Sequence, residues 1–171
     1  SGATVHLFGL VSDGGVHSSD RHLRALLEMA KAAGLSGEQV ALHAFLDGRD
    51  TRPRSAQKYI EAVEGWMTEF GVGRVASVIG RYFAMDRDKR WERVQLAYDC
   101  LTLGQGHSVE SAQAAIAAAY KRNENDEFVK PTVIGSPDRG RVRTGDAVLF
   151  FNFRTDRARQ LTEAFVGREF Q

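Results

Sequence analysis

Apolar residues alternate along this chain between short solid runs and longer stripes at helical spacing. The runs cover residues 5–11, 40–46, 75–79 and 148–151. All read as strands, and the first is apolar enough for one buried on both faces. Between the first two, Leu23, Leu26, Leu27 and Ala30 recur with a helical period, and Gly34 supplies a stop. Pro53 sits where a second helix can begin, with Tyr59, Val63, Trp66, Met67 and Phe70 on one stripe. Trp91, Val94, Tyr98 and Leu101 share the face of a third. Ser108 is placed as the N-cap of a fourth, which carries Val109, Ala112, Ile116, Ala119 and Tyr120. From Asn123 to Asp146 the helical period fails. Short β-like pieces at 128–134 and 141–142, punctuated by Gly135, Pro137 and Gly140, read as an edge hairpin or flap. Strand–helix alternation of this kind predicts an α/β fold, a three-layer α/β/α sandwich with a largely parallel sheet, formed as one domain over residues 1–171.

The ends of the runs change the picture from scaffold to site. Residues 40–46 stop in Asp47-Gly48-Arg49-Asp50, residues 75–79 in Gly80-Arg81, and residues 148–151 in Asn152-Phe153-Arg154-Thr155-Asp156-Arg157. In a parallel sheet the strand C-termini and helix N-termini share one edge, where ligands bind. Three loops therefore bring their arginines together, and guanidinium forks match carboxylate and phosphate oxygens. The pattern points to a small, highly charged metabolite.

Composition narrows the partners. The 171 residues carry 23 basic and 22 acidic side chains, a formal net charge of +1, so long-range attraction to nucleic acid or to an anionic membrane has little support. Of the 23 basic residues, 18 are Arg and 5 are Lys, a bias toward the side chain with fork geometry or simply toward its codons. No run reaches the roughly 18 apolar residues of a membrane span, and no signal peptide is read at the start. Cys100 is the single cysteine; it can form neither an internal disulfide nor a cysteine metal cluster, which suits a reducing cytoplasm.

Several of these arginines stand where a helix does not favour them. Arg87 and Arg90 precede the Trp91 helix, and Arg157 and Arg159 open the last one. A cation at a helix N-terminus loses typically about 0.3–1 kcal/mol, whereas a bound anion reverses the sign. The plain alternative for any one of them is pairing with Asp86, Asp88 or Asp156. His17 follows Asp13-Gly14-Gly15-Val16 and precedes a helix, so its ring is expected to be neutral and free to donate one hydrogen bond, or to be a turn histidine facing water. His6 and His43 read as structural, His22 and His107 as surface residues, and Ser18 or Ser19 as a helix cap. Asp47, Asp50, Asp86, Asp88 and Asp156 each have an arginine within one or two positions, which argues for ion pairing over metal ligation. No metal-ligand, Walker or nucleophile–base pattern is present.

At these loops the chain closely resembles the cofactor-independent (2,3-bisphosphoglycerate-independent) phosphoglycerate mutases. The matching stretches are residues 10–18 (LVSDGGVHS), 42–50 (LHAFLDGRD), 79–91 (IGRYFAMDRDKRW) and 145–159 (GDAVLFFNFRTDRAR). Members of that family interconvert 3- and 2-phosphoglycerate through a phosphoserine. Their phosphatase-like catalytic domain holds the serine and two metal ions, usually Mn2+, and an inserted domain binds substrate. The resemblance is to the insert alone, so the chain is expected to be a domain excised from a two-domain enzyme, with no metal of its own and no mutase activity by itself. It implies that His17, Arg49, Asp50, Arg81, Arg87, Arg154 and Arg157 contact the phosphoglycerate. Asp50 would accept from a glycerate hydroxyl, and the phosphatase-like domain of the same polypeptide would be the partner. The alternative is a stand-alone anion-binding or regulatory module that senses a phosphorylated metabolite.

Overall fold

The apolar runs form the middle of a six-stranded sheet with strand order β4-β5-β3-β2-β1-β6. In this computed structural model, which describes residues 2–167, β1 (Val5–Leu10) pairs in parallel with β2 (Val40–Leu46) and with β6 (Ala147–Phe150). β2 in turn pairs in parallel with β3 (Arg74–Gly80). The remaining strands are three residues each. β5 (Thr132–Ile134) runs antiparallel to β3, and β4 (His107–Val109) parallel to β5.

Helices cover both faces. α1 (Asp20–Ala32), α2 (Ala56–Phe70) and α5 (Ala112–Lys121) send Leu23, Leu27, Ile60, Val63, Ile116 and Ala119 into one buried cluster against Leu42, Ala44 and Val78. α4 (Trp91–Leu103) and α7 (Arg159–Val166) send Val94, Ala97, Leu101, Leu161 and Ala164 into a second, against Phe8, Leu10, Phe45 and Ile79. Two clusters on opposite faces of one sheet make the three-layer α/β/α arrangement. Short helices α3 (Arg81–Ala84) and α6 (Pro137–Gly140) complete the order.

Three local expectations are corrected. Ser108 lies in β4, and Ser111 caps α5, its hydroxyl taking the Ala114 amide at 3.1 Å. Val109 belongs to that strand as well, because the backbone of 107–109 finds a ladder with Thr132–Ile134. The helix expected from Pro53 begins at Ala56, where the Asp126 carboxylate accepts the Ser55 and Ala56 amides at 2.8 and 2.9 Å. A residue seventy positions away thus supplies the N-terminal cap. The stretch 123–146 is not a hairpin. It holds a 3-10 turn (Asp126–Phe128), β5 and α6, and β5 inserts between β4 and β3.

The structural histidines are buried, in one hydrogen-bond chain. His6 Nε2 lies 3.1 Å from Asp146 Oδ2, His6 Nδ1 2.9 Å from His43 Nε2, and His43 Nδ1 2.7 Å from Ser77 Oγ. A carboxylate only accepts, so neutral rings must order the chain: Ser77 donates to His43, His43 to His6, and His6 to Asp146. Cys100 is also buried, and burial pushes its thiol pKa up to about 12.

Candidate functional site

Because β1, β2, β3 and β6 run in parallel, the loops that follow them leave the sheet along one edge. The first loop carries His17, and its position is set by backbone. The His17 carbonyl accepts the Phe153 and Arg154 amides at 2.9 and 3.3 Å, joining the loop after β1 to the loop after β6. Ser18 donates to the Leu10 carbonyl, and Ser19 caps α1 by accepting from the Arg21 amide.

Arg81 opens α3 and is buried. Its Nη1 donates to Asp47 Oδ1 at 2.7 Å and to Asp50 Oδ2 at 2.6 Å. Asp50 Oδ2 in turn lies 3.8 Å from His17 Nε2, and His17 Nδ1 lies 3.7 Å from Asp156 Oδ1. Both gaps exceed a hydrogen bond. Asp156 also holds two arginines, Arg87 through Nη1 and Arg154 through Nε, each at 3.0 Å. Arg157 donates from Nη1 to the Met85 carbonyl at 3.2 Å. Arg49, on the exposed shoulder, faces Glu127 at 3.5 Å.

All seven residues expected from the sequence therefore meet along this edge. Arg49, Arg81, Arg87 and Arg157 line a cavity of about 200 Å³ together with Tyr82, Asp86 and Glu127. His17, Asp50 and Arg154 adjoin them through Arg81 and Asp156. A larger groove of about 390 Å³ along Phe83, Leu96 and Pro131 has no arginine in its lining.

The electrostatics bear the marks of this crowding. Burial, with the charges of Arg81 and Arg154, lowers the His17 pKa against the pull of Asp156 and Asp50, so the ring is neutral at pH 7. Arg157 is lowered by burial and by the neighbouring Arg81, Arg87 and Arg49. Burial opposes ionisation of Asp156, but Arg87, Arg154 and His17 more than offset it and hold the carboxyl below the usual range. Two buried nitrogens here have no hydrogen-bond partner, His17 Nδ1 and Arg157 Nε, and Asp156 Oδ1 makes no well-aligned hydrogen bond although it faces Arg154 Nε at 3.0 Å. Two can donate and one accepts, a set that an oxygen-rich anion bearing a hydroxyl would satisfy.

Ion pairing, the plain reading of the loop carboxylates, holds for Asp47, Asp50, Asp86 and Asp156. Asp86 is buried and structural; it accepts the Arg90 amide at 2.9 Å ahead of α4 and pairs with Arg93 at 3.4 Å. Residues the sequence did not single out also reach the cavity. Glu127 comes from the stretch without period. Tyr82 is stacked under Arg93, whose guanidinium carbon is 3.9 Å from the ring centre. Nothing in the local sequence marks either. Among the described residues no group of three or more His, Cys, Asp or Glu side chains is arranged to hold a metal ion.

Fold and site together define an α/β domain with an arginine-rich, candidate anion-binding edge. The comparisons with known proteins then place it. The chain belongs to the family described as BPG-independent PGAM N-terminus (iPGM_N), which matches residues 1–171. It is 56% identical over 171 residues to the 2,3-bisphosphoglycerate-independent phosphoglycerate mutase of Moorella thermoacetica, covering 99% of this chain and 33% of that protein. The enzyme of the same name from Escherichia coli O1:K1 / APEC is 54% identical, with 99% and 33% covered. Among solved structures, Leishmania mexicana phosphoglycerate mutase, crystallised at low cobalt concentration, superposes with a TM-score of 0.93 at 33% identity, over 100% of this chain and 33% of that one. The chain thus spans about a third of the length of the relatives it matches.

Proposed function

We propose that this chain is the substrate-gripping part of a phosphoglycerate mutase, an isomerase of glycolysis that interconverts 3- and 2-phosphoglycerate. The observation that carries the reading is the pair of buried nitrogens without a hydrogen-bond partner, His17 Nδ1 and Arg157 Nε, amid four further arginines, in a chain whose relatives are mutases. Arg49, Arg81, Arg87, Arg154 and Arg157 bind the carboxylate and phosphate oxygens by charge-assisted forks. Neutral His17 donates one hydrogen bond to the ligand. Asp50, held by Arg81, accepts from a glycerate hydroxyl.

The phosphoryl group passes to a serine on the phosphatase-like part of the polypeptide and returns to the other hydroxyl, while this chain keeps and reorients the glycerate. Two Mn2+ ions, held by the phosphatase-like part of the polypeptide, would serve that chemistry. Closure of the two parts around the substrate excludes water and limits hydrolysis of the phosphoserine. No described helix is long and apolar enough to cross a membrane, and a cytoplasmic setting suits the lone reduced thiol. The rival reading, a stand-alone sensor of a phosphorylated metabolite, uses the same site but leaves the length of the relatives unexplained.

The test is calorimetric titration of the chain with 3-phosphoglycerate, beside an Arg154→Ala, Arg157→Ala double variant. Saturable binding that the variant loses supports the reading, and binding that survives both substitutions overturns it. The chain alone, supplied with manganese, is expected to show no turnover; robust turnover would defeat the division of labour proposed here.

A further inference from the structure

Asp47 is 2% exposed, at the end of β2, and makes no use of its charge in the core. Every donor it meets belongs to a loop of the candidate site. Oδ2 takes the Ser12 hydroxyl at 2.7 Å, and Oδ1 takes the Arg49 amide at 3.2 Å, the Asp50 amide at 2.9 Å and Arg81 Nη1 at 2.7 Å. Ser12 Oγ in turn accepts the Gly14 amide at 3.3 Å. The loops also touch: a Cβ on Gly14 would lie 3.1 Å from Asp50 Cβ and 3.3 Å from Asp47 Oδ2. One carboxylate therefore ties together the loops after β1, β2 and β3. Burial opposes its ionisation, but hydrogen bonds from Ser12, the Asp50 amide and Arg81 more than offset this and hold it ionised.

We propose that Asp47 is a positioning residue that sets the grip on the phosphoglycerate by fixing the Arg49–Asp50 backbone and the Arg81 guanidinium, which in turn holds Asp50. The proposal rests on the function proposed above. Two effects of neutralising Asp47 have opposite signs, which makes the role decidable. By charge alone, Asp47→Asn removes a negative charge beneath the arginines and tightens anion binding. By position, it releases Arg81 and the 49–50 loop and weakens binding, because small displacements of binding groups cost large factors.

The experiment is steady-state kinetics of the full-length enzyme containing this chain, comparing wild type, Asp47→Asn and Ser12→Ala with 3-phosphoglycerate. We expect KM to rise about tenfold or more in Asp47→Asn, with a smaller rise in Ser12→Ala and a lesser change in kcat. A purely structural role would lower kcat through a smaller active fraction and leave KM unchanged, and that result overturns the proposal. So does a lower KM, the signature of charge alone. If Asp47→Asn does not fold, Ser12→Ala decides: a raised KM supports the proposal and an unchanged KM overturns it. A wild-type enzyme without activity on 3-phosphoglycerate would instead defeat the substrate reading, and the proposal with it.

Discussion

Asp126→Ala is the substitution whose cost the structure allows to be worked out most fully. The Asp126 side chain is buried and accepts three hydrogen bonds: the Ser55 amide at 2.8 Å, the Ala56 amide at 2.9 Å and the Tyr120 hydroxyl at 2.5 Å. Two of these close the start of α2, a helix whose N-cap residue Ser55 makes no side-chain capping bond of its own. Loss of a helix cap costs typically about 1 kcal/mol. The Ala56 amide is buried and would be left without any partner, which adds about 1–3 kcal/mol. The half-buried Tyr120 hydroxyl can turn to water and adds little. The expected loss is therefore about 3 kcal/mol, or roughly 6–12 °C in Tm for a domain of this size. Asp126→Asn keeps one acceptor oxygen and should lose only about 1 kcal/mol. Urea unfolding of the chain, followed by circular dichroism, measures both. A loss below about 0.5 kcal/mol in Asp126→Ala, or equal losses in the two variants, would refute the cap assignment.

Two further outcomes follow from the same kind of geometry. Burial lowers the pKa of His6 and His43 below the usual 6.5, so the unfolded chain binds more protons than the folded one in acid. Stability is therefore full above that value and lost as pH falls below it, and urea midpoints between about pH 7.5 and 5.5 should show a slope that His43→Gln makes shallower; a wild-type curve flat across that range would contradict the buried neutral pair. Gly48 has a φ of +67°, and a Cβ there would lie 2.8 Å from the Glu127 amide nitrogen and 2.9 Å from Asp126 Cβ. Gly48→Ala should cost about 2 kcal/mol or more by thermal unfolding, and a change under about 0.5 kcal/mol would mean that the two loops are not packed as described.

The layers of this fold were legible because the information is local. A strand buried on both faces is apolar at nearly every position, and residues 40–46, every one of them buried and all apolar but His43, show it in seven letters. The helix stripes likewise map onto the two clusters on either side of the sheet. What stayed hidden depends on partners far along the chain. Ser108 and Ser111 offer equally good caps, and the choice falls to Ser111 only because 107–109 pairs with Thr132–Ile134. Pro53 is a good helix start by local rules, yet the helix begins at Ala56 because the acceptor sits on Asp126. Glu127 faces Arg49 from a segment with no period to read.

The site shows the same division, and it shows why two readings of its arginines need not compete. Cations before a helix need compensation, from an aspartate or from a bound anion. For Arg81 the structure supplies aspartates, Asp47 and Asp50; for Arg87 and Arg154 it supplies Asp156. The sequence could name these carboxylates but not their assignments, since Arg81 lies 34 and 31 positions from its two partners. Arg157 differs. Its guanidinium is half-buried among Arg81, Arg87 and Arg49, and its Nε meets no acceptor. Guanidinium groups this close repel one another unless negative charge lies between them; Asp47 and Asp50 pair with Arg81, Asp156 with Arg87 and Arg154, and Glu127 with Arg49, whereas Arg157 has no ion pair within 4 Å among the described residues. These carboxylates therefore act as the mortar that lets the arginines assemble. Arg157 and His17 carry the donors that mortar leaves over, and it is there that a ligand's oxygens have most to gain.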